Sequence, residues 1–149
     1  MAIDSETMRQ IISNVFDEML GLPTCHTDSF GELNEKRYVA SIRISGAADE
    51  TIVVEAPVES ARCIAESMFA ADPESLESEE VQDAVGEIVN MIGGNVKGTY
   101  EGDSALSLPC VSDALSESTW TDGESDACFL TVADKPVLIR WRDNCAVTA

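Results

Sequence analysis

Met8, Ile11, Ile12, Val15, Phe16 and Met19 recur at spacings of 3, 1, 3, 1 and 3, which places them on one face of a helix over residues 4–20. Asp4 or Ser5 is available as its N-cap, and Gly21 and Pro23 end it. The pattern then changes to period two and β-branched residues. Residues 38–44 and 51–54 predict two strands joined by Ser45-Gly46-Ala47-Ala48-Asp49 as turn material. After Pro57, Ala61, Ile64, Ala65, Met68 and Phe69 mark one face of a second helix over 58–71, stopped at Asp72-Pro73. A third helix begins near Ser78, a candidate cap followed by Glu79 and Glu80, and its periodicity runs to Lys97 or Tyr100. Three strands close the chain, at 105–111, 127–133 and 137–141. The last two meet at an Asp134-Lys135 turn, with Pro136 at the start of the final strand. Residues 112–125 are polar and read as a loop that Trp120 pins to the body. The order α, β, β, α, α, β, β, β predicts an α+β domain, its helices packed on a largely antiparallel sheet around a long third helix.

At 149 residues with 44% apolar content, the chain suits a single domain over 1–149 with one core, and no linker or low-complexity segment divides it. Its formal charge of -19 opposes phosphate backbones and anionic lipid surfaces, so neither nucleic acid nor membrane is expected as a partner. The charge is uneven: from Cys63 to Asp134 there are sixteen acids and one base, Lys97. Most of these carboxylates are read as a solvated surface. The cysteines at 25, 63, 110, 128 and 145 are odd in number and form no CxxC pair, against both a zinc site and a disulfide framework. Met1 to Arg9 contains Asp4 and Glu6 and does not resemble a signal peptide, and no apolar run approaches the roughly 20 residues of a bilayer span. The expected location is a reducing cytoplasm.

The third helix carries the candidate chemistry. With Asp83 at 0° and roughly 100° per residue, Glu87 falls at about 40°, Asn90 at about -20°, Gly94 at about 20° and Lys97 at about -40°. Val81, Val85, Ile88, Met91, Ile92 and Val96 occupy the opposite side, so the helix buries one face and displays a narrow polar stripe. Asn95 falls on the apolar side and is read as a structural, hydrogen-bonded residue. Gly86 and Gly93 flank the stripe. Each costs the helix roughly 1 kcal/mol relative to Ala, so a compensating close approach is expected, by another element of the fold or by a docking protein. Glu87 and Asn90, one turn apart, present a carboxylate and a carboxamide together. The amide is able to hold a water through hydrogen bonds and the carboxylate to pair with a partner's lysine. By spacing alone, an ordinary solvated i,i+3 pair is the simpler reading.

The run Val81-Gln-Asp-Ala-Val-Gly-Glu-Ile-Val-Asn-Met-Ile-Gly-Gly-Asn-Val-Lys97 resembles the signature helix of the CheC/CheX/FliY chemotaxis phosphatases, and its CheX branch in particular. The family pattern of Asp or Ser, three residues, Glu, two residues, Asn falls on Asp83, Glu87 and Asn90. Ser41-Ile-Arg-Ile-Ser-Gly46, the helix around 61–68 and Ala105-Leu-Ser-Leu-Pro-Cys-Val111 extend the resemblance over nearly the whole chain. It implies a phosphatase acting on the phosphoaspartate of a CheY-type response-regulator receiver, with Asn90 positioning the attacking water and Glu87 pairing with a receiver lysine. Asp83, Gly86, Gly94 and Lys97 become accessory or partner-docking positions, Lys97 chiefly as a counter-ion for the helix. The resemblance implies no metal or cofactor on this chain, with Mg²⁺ on the receiver, and a homodimer through sheet edges. CheC-like relatives carry a second Glu/Asn site on the first helix. Here that turn reads Gln10-Ile-Ile-Ser13, with Asn14 one position off, so one site is expected. A noncatalytic interaction domain on the same scaffold is the alternative reading.

Other reactive residues form no competing constellation. His26 beside Cys25 lacks the companions for a metal site or a Cys nucleophile and is read as loop or strand surface. Ser104, Ser107, Ser112 and Ser116 have no GxSxG context, and Trp120 and Trp141 are read as packing or interface residues rather than ligand platforms.

Overall fold

The computed structural model describes residues 3–27, 36–46, 48–114 and 126–143. Helix α1 spans Ser5–Ser13, and the Asp4 carboxylate caps it by accepting from the Thr7 N–H at 2.7 Å. That hydrogen bond holds the Asp4 carboxyl below its ordinary range. The expected continuation to residue 20 changes winding: Asn14–Met19 is π-helical. Met8, Ile12, Val15 and Phe16 are wholly buried, but Met19 is 59% exposed. The wider π turn carries Met19 off the face that α-helical spacing assigns to it.

A short strand β1, Thr24–Thr27, follows. Strands β2 (Arg37–Gly46) and β3 (Glu50–Pro57) form the expected hairpin. Helix α2 is Val58–Phe69, closed by Ala70 in the left-handed conformation. A 3-10 turn at Pro73–Ser75 leads into helix α3, Ser78–Lys97. Strands β4 (Ser104–Leu106), β5 (Cys110–Ala114), β6 (Asp126–Val132) and β7 (Lys135–Asp143) complete the fold.

Among the described residues seven strands make one antiparallel sheet in the order β1-β6-β7-β3-β2, with β4 and β5 sharing the far side of β2. Alternation along the strands selects the face that meets the helices. Tyr38, Ala40, Ile42 and Ile44 of β2 join Ile52, Val54, Ala56, Cys128, Leu130, Val132, Val137, Ile139 and Trp141 in one core with the buried residues of α1, α2 and α3. This is the α+β arrangement that the sequence predicts. Trp141 is buried, and its indole N–H donates to the Ile3 carbonyl at 3.3 Å. The opposite face holds a second small cluster, Val39 with Val53. Beside it, buried Arg37 donates Nε to Glu55 Oε1 at 2.7 Å, and Arg140 Nε lies 3.3 Å from Glu55 Oε2.

Three expectations change. Strand β1 was not anticipated, because Thr-Cys-His-Thr contains no large apolar residue to mark a buried face. The turn between β6 and β7 falls one residue earlier, on Ala133 and Asp134, both at positive φ (50° and 68°), as a two-residue hairpin turn requires. The strand expected over 105–111 is broken: β4 and β5 pair with β2 on either side of Ser107-Leu108-Pro109. Residues 112–114, read as loop, belong to β5, and the rest of that loop, with Trp120, lies outside the described residues.

Candidate functional site

Helix α3 is rigidly seated. Glu77 is its N-cap rather than Ser78, and the Glu80 carboxylate accepts from the Glu77 N–H at 3.3 Å. Ser78 is the first helical residue, its hydroxyl 3.2 Å from both Tyr38 Oη and Gln82 Nε2. Val81, Ala84, Val85, Ile88, Val89, Ile92 and Val96 are buried, and the helix packs on β2, β3, β4, β5 and α2. Twenty residues anchored along one side give the opposite side little freedom to move.

On that opposite side Asp83 and Glu87 are exposed and Asn90 is half-buried. Among the described residues, the side chains of Glu87 and Asn90 make no hydrogen bond or ion pair, so their polar atoms are open to a partner. Gly94 is exposed, and a Cβ built on it meets nothing within 4 Å. Lys97 lies half-buried in the last turn, where the helix dipole favours a cation. Five acids, Glu77, Glu79, Glu80, Asp83 and Glu87, stand exposed along the cap and first half of the helix.

The glycines beside the stripe are explained within the fold. A Cβ on Gly86 would lie 3.0 Å from Val111 Cγ2 and 3.9 Å from the Pro109 ring, and one on Gly93 would lie 3.0 Å from Leu106 Cδ1 and 3.1 Å from Ile42 Cγ2. Side chains of β4 and β5 thus cross the flank of α3 so closely that a Cβ at either glycine would require them to give by a few tenths of an ångström. Gly86 is buried by this crossing and does not face an incoming protein, which corrects its placement among the docking positions. Asn95 is corrected as well: it is exposed near the helix end, though its Nδ2 donates to the Met91 carbonyl at 2.8 Å.

The reading of 105–111 as one strand missed its interruption. The break at Ser107-Leu108-Pro109 leaves Leu108 89% exposed. Pro109, which has no N–H to give the ladder, was the signal for it.

Of the two placements expected for His26, loop or strand, the structure has the strand, with the side chain partly covered. His26 sits half-buried in β1 with Nε2 3.0 Å from Ser13 Oγ and Nδ1 3.1 Å from Cys128 Sγ. Burial lowers its pKa and raises that of the Cys128 thiol. Cys128 is 1% exposed, so the pair is a core contact and not a reactive centre. Among the described residues no group of three or more His, Cys, Asp or Glu is placed to hold a metal ion, and no helix is long and apolar enough to cross a membrane.

Comparison with known families bears directly on the stripe. The family model described as chemotaxis phosphatase CheX matches residues 38–131, a span that contains all of α3. The chain belongs to the CheX family. Comparison with curated proteins gives no match. Among solved structures, the chain is similar to a CheX from Vibrio vulnificus (19% identity, TM-score 0.74, 93% of this chain and 97% of that one). It is similar also to a CheX from Desulfovibrio desulfuricans (17% identity, TM-score 0.73, 94% and 98%). A third likeness is to the CheX-CheY-BeF3-Mg²⁺ complex from Borrelia burgdorferi (16% identity, TM-score 0.67, 95% and 98%). At these identities the likenesses establish the CheX fold over nearly the whole chain.

Proposed function

We propose that this CheX-family protein hydrolyses the phosphoaspartate of a CheY-type receiver domain, with Asn90 as the water-positioning residue and Glu87 as the docking carboxylate. The observation that carries the proposal is the stripe itself: an unpaired carboxylate and an unpaired carboxamide, one turn apart, on a helix held by a largely buried opposite face. The Borrelia CheX crystallised with CheY supports a receiver as the partner.

The chemistry asks little of ionisable groups. Water attacks phosphorus, the bond between phosphorus and the aspartate oxygen breaks, and the products are inorganic phosphate and a free receiver carboxylate. Asn90 contributes by holding that water in line through its amide, a positioning effect that needs no shifted pKa. Glu87, exposed one turn away, pairs with a receiver lysine and fixes the register of the two proteins. Mg²⁺ belongs to the receiver in this scheme and supplies neutralisation of the phosphoryl charge. Glu87 and Asn90 alone provide too few ligands to hold a divalent ion of their own. Asp83 and Gly94 border the docking surface, Gly94 leaving its floor bare. The same reading includes a single site, a cytoplasmic setting and a homodimer through sheet edges.

The test is the decay of a radiolabelled phospho-receiver with Mg²⁺ present, alone and with wild type, Glu87→Ala or Asn90→Ala. The expected outcome is acceleration by wild type that both substitutions abolish while each variant keeps the wild-type circular dichroism. No acceleration across the receivers of the source organism would instead favour a noncatalytic interaction domain.

A further inference from the structure

Leu108 is the most exposed large hydrophobic residue among those described, at 89%, against 59% for Met19 and 44% for Phe69. It is held there rather than left loose. The Ser107 N–H donates to the Arg43 carbonyl at 2.9 Å, the Arg43 N–H donates to Ser107 Oγ at 2.9 Å, and Ser107 Oγ donates to the Leu108 carbonyl at 3.2 Å. On the other side Pro109 fixes its own φ and packs at Gly86. The kink is therefore pinned at both ends, with the leucine side chain in water.

Its position along α3 follows from the glycine contacts. Leu106 lies against Gly93 and Pro109 against Gly86, and Asn90 falls between those two glycines in the helix, four residues after one and three before the other. Ser107 and Leu108 are thus level with the turn that carries Asn90. A molecule that brings a reacting phosphoryl group to half-buried Asn90 must cover that turn, and an ordinary interface covers roughly 800 Å² on each partner. Leu108 lies inside such a footprint.

We propose that Leu108 is an apolar anchor by which the phosphorylated receiver docks beside Asn90. The inference rests on the phosphatase reading of the stripe and adds the contact that holds the complex together. The remaining exposed side chains nearby on α3 are largely carboxylates, which steer a basic partner but are screened by salt. A rigidly displayed leucine filling a pocket slows dissociation in a salt-independent way. The counter-surface on the receiver is accordingly an apolar pocket bordered by lysine.

The experiment measures the accelerated dephosphorylation of the phospho-receiver against the concentration of wild type, Leu108→Ser and Leu108→Met. Wild type saturates. Leu108→Ser is expected to raise the half-saturating concentration roughly tenfold or more, the loss corresponding to one buried leucine side chain. It keeps the plateau rate, and Leu108→Met stays close to wild type in both. A half-saturating concentration for Leu108→Ser within twofold of an active wild type overturns the anchor and leaves the phosphatase reading standing. A plateau that falls with no change in half-saturation also overturns it. So does a change in the sedimentation of the free Leu108→Ser protein, which would assign the leucine to contact between copies of this chain. Absence of acceleration by wild type overturns the phosphatase reading, and with it the partner assigned to Leu108.

Discussion

Gly93 and Gly94 are adjacent in α3, yet replacing each by alanine should have different effects. Alanine is favoured over glycine within a helix by roughly 0.5–1 kcal/mol, because glycine loses more backbone freedom on folding. At Gly94 nothing lies within 4 Å of an added Cβ, so Gly94→Ala is expected to gain most of that amount. For a domain of this size it raises Tm by roughly 2–4 °C. At Gly93 the same gain is opposed by Leu106 Cδ1 at 3.0 Å and Ile42 Cγ2 at 3.1 Å, and overpacking of this kind costs roughly 1–3 kcal/mol. Gly93→Ala should therefore lie between neutral and about 2 kcal/mol less stable than wild type. Urea unfolding followed by circular dichroism at 222 nm gives both values. Equal stabilisation by the two substitutions would refute the close crossing of β4 over α3, and destabilisation by Gly94→Ala would refute the open face.

Three other outcomes follow from the core and the caps. Glu55→Gln removes the carboxylate facing fully buried Arg37 at 2.7 Å, and a broken buried pair of this kind costs about 3–5 kcal/mol, read as a fall in the urea midpoint. Glu50 accepts from the Ile3 N–H at 3.0 Å and the Tyr100 hydroxyl at 2.5 Å, yet burial raises its pKa above the ordinary 4.5. The native state therefore binds its proton more tightly than the unfolded chain does, and the stability this gives is present in acid and lost as pH rises through the folded pKa. The stability of Glu50→Gln relative to wild type should consequently grow as pH rises from the ordinary 4.5 through the folded pKa, and a constant difference would contradict the assignment. Asp4→Ala, which removes the cap on the Thr7 N–H, is expected to lower the Tm in thermal melts.

The polar stripe was legible in the sequence because all of it lies on one helix, where a wheel alone separates Glu87 and Asn90 from Val85, Ile88 and Ile92. Helix α2 and the β2–β3 hairpin were legible for the same local reason. What escaped depends on partners distant along the chain. Gly86 and Gly93 announce a close approach without naming what approaches, and β4 and β5 reach them only through pairing with β2. The π winding at Asn14–Met19 leaves the apolar spacing unchanged in the sequence but moves Met19 into solvent. His26 gave no sign of its burial, since its neighbours Ser13 and Cys128 come from opposite ends of the chain. Asn95 shows the limit of a wheel at the border of a face: Val96 beside it is fully buried, whereas Asn95 and half-buried Met91 one turn earlier lie at the edge of the covered side.

The central claim, that Asn90 positions water on a receiver bound through Glu87, is tested most directly by separating turnover from binding in Asn90→Ala. Phosphate release from a phospho-receiver is measured at saturating protein, alongside the affinity for a beryllofluoride-activated receiver. The account predicts a turnover about a hundredfold or more below wild type, at affinity within a few-fold, because only the positioning of water is lost. Turnover that survives the loss of the amide would contradict it.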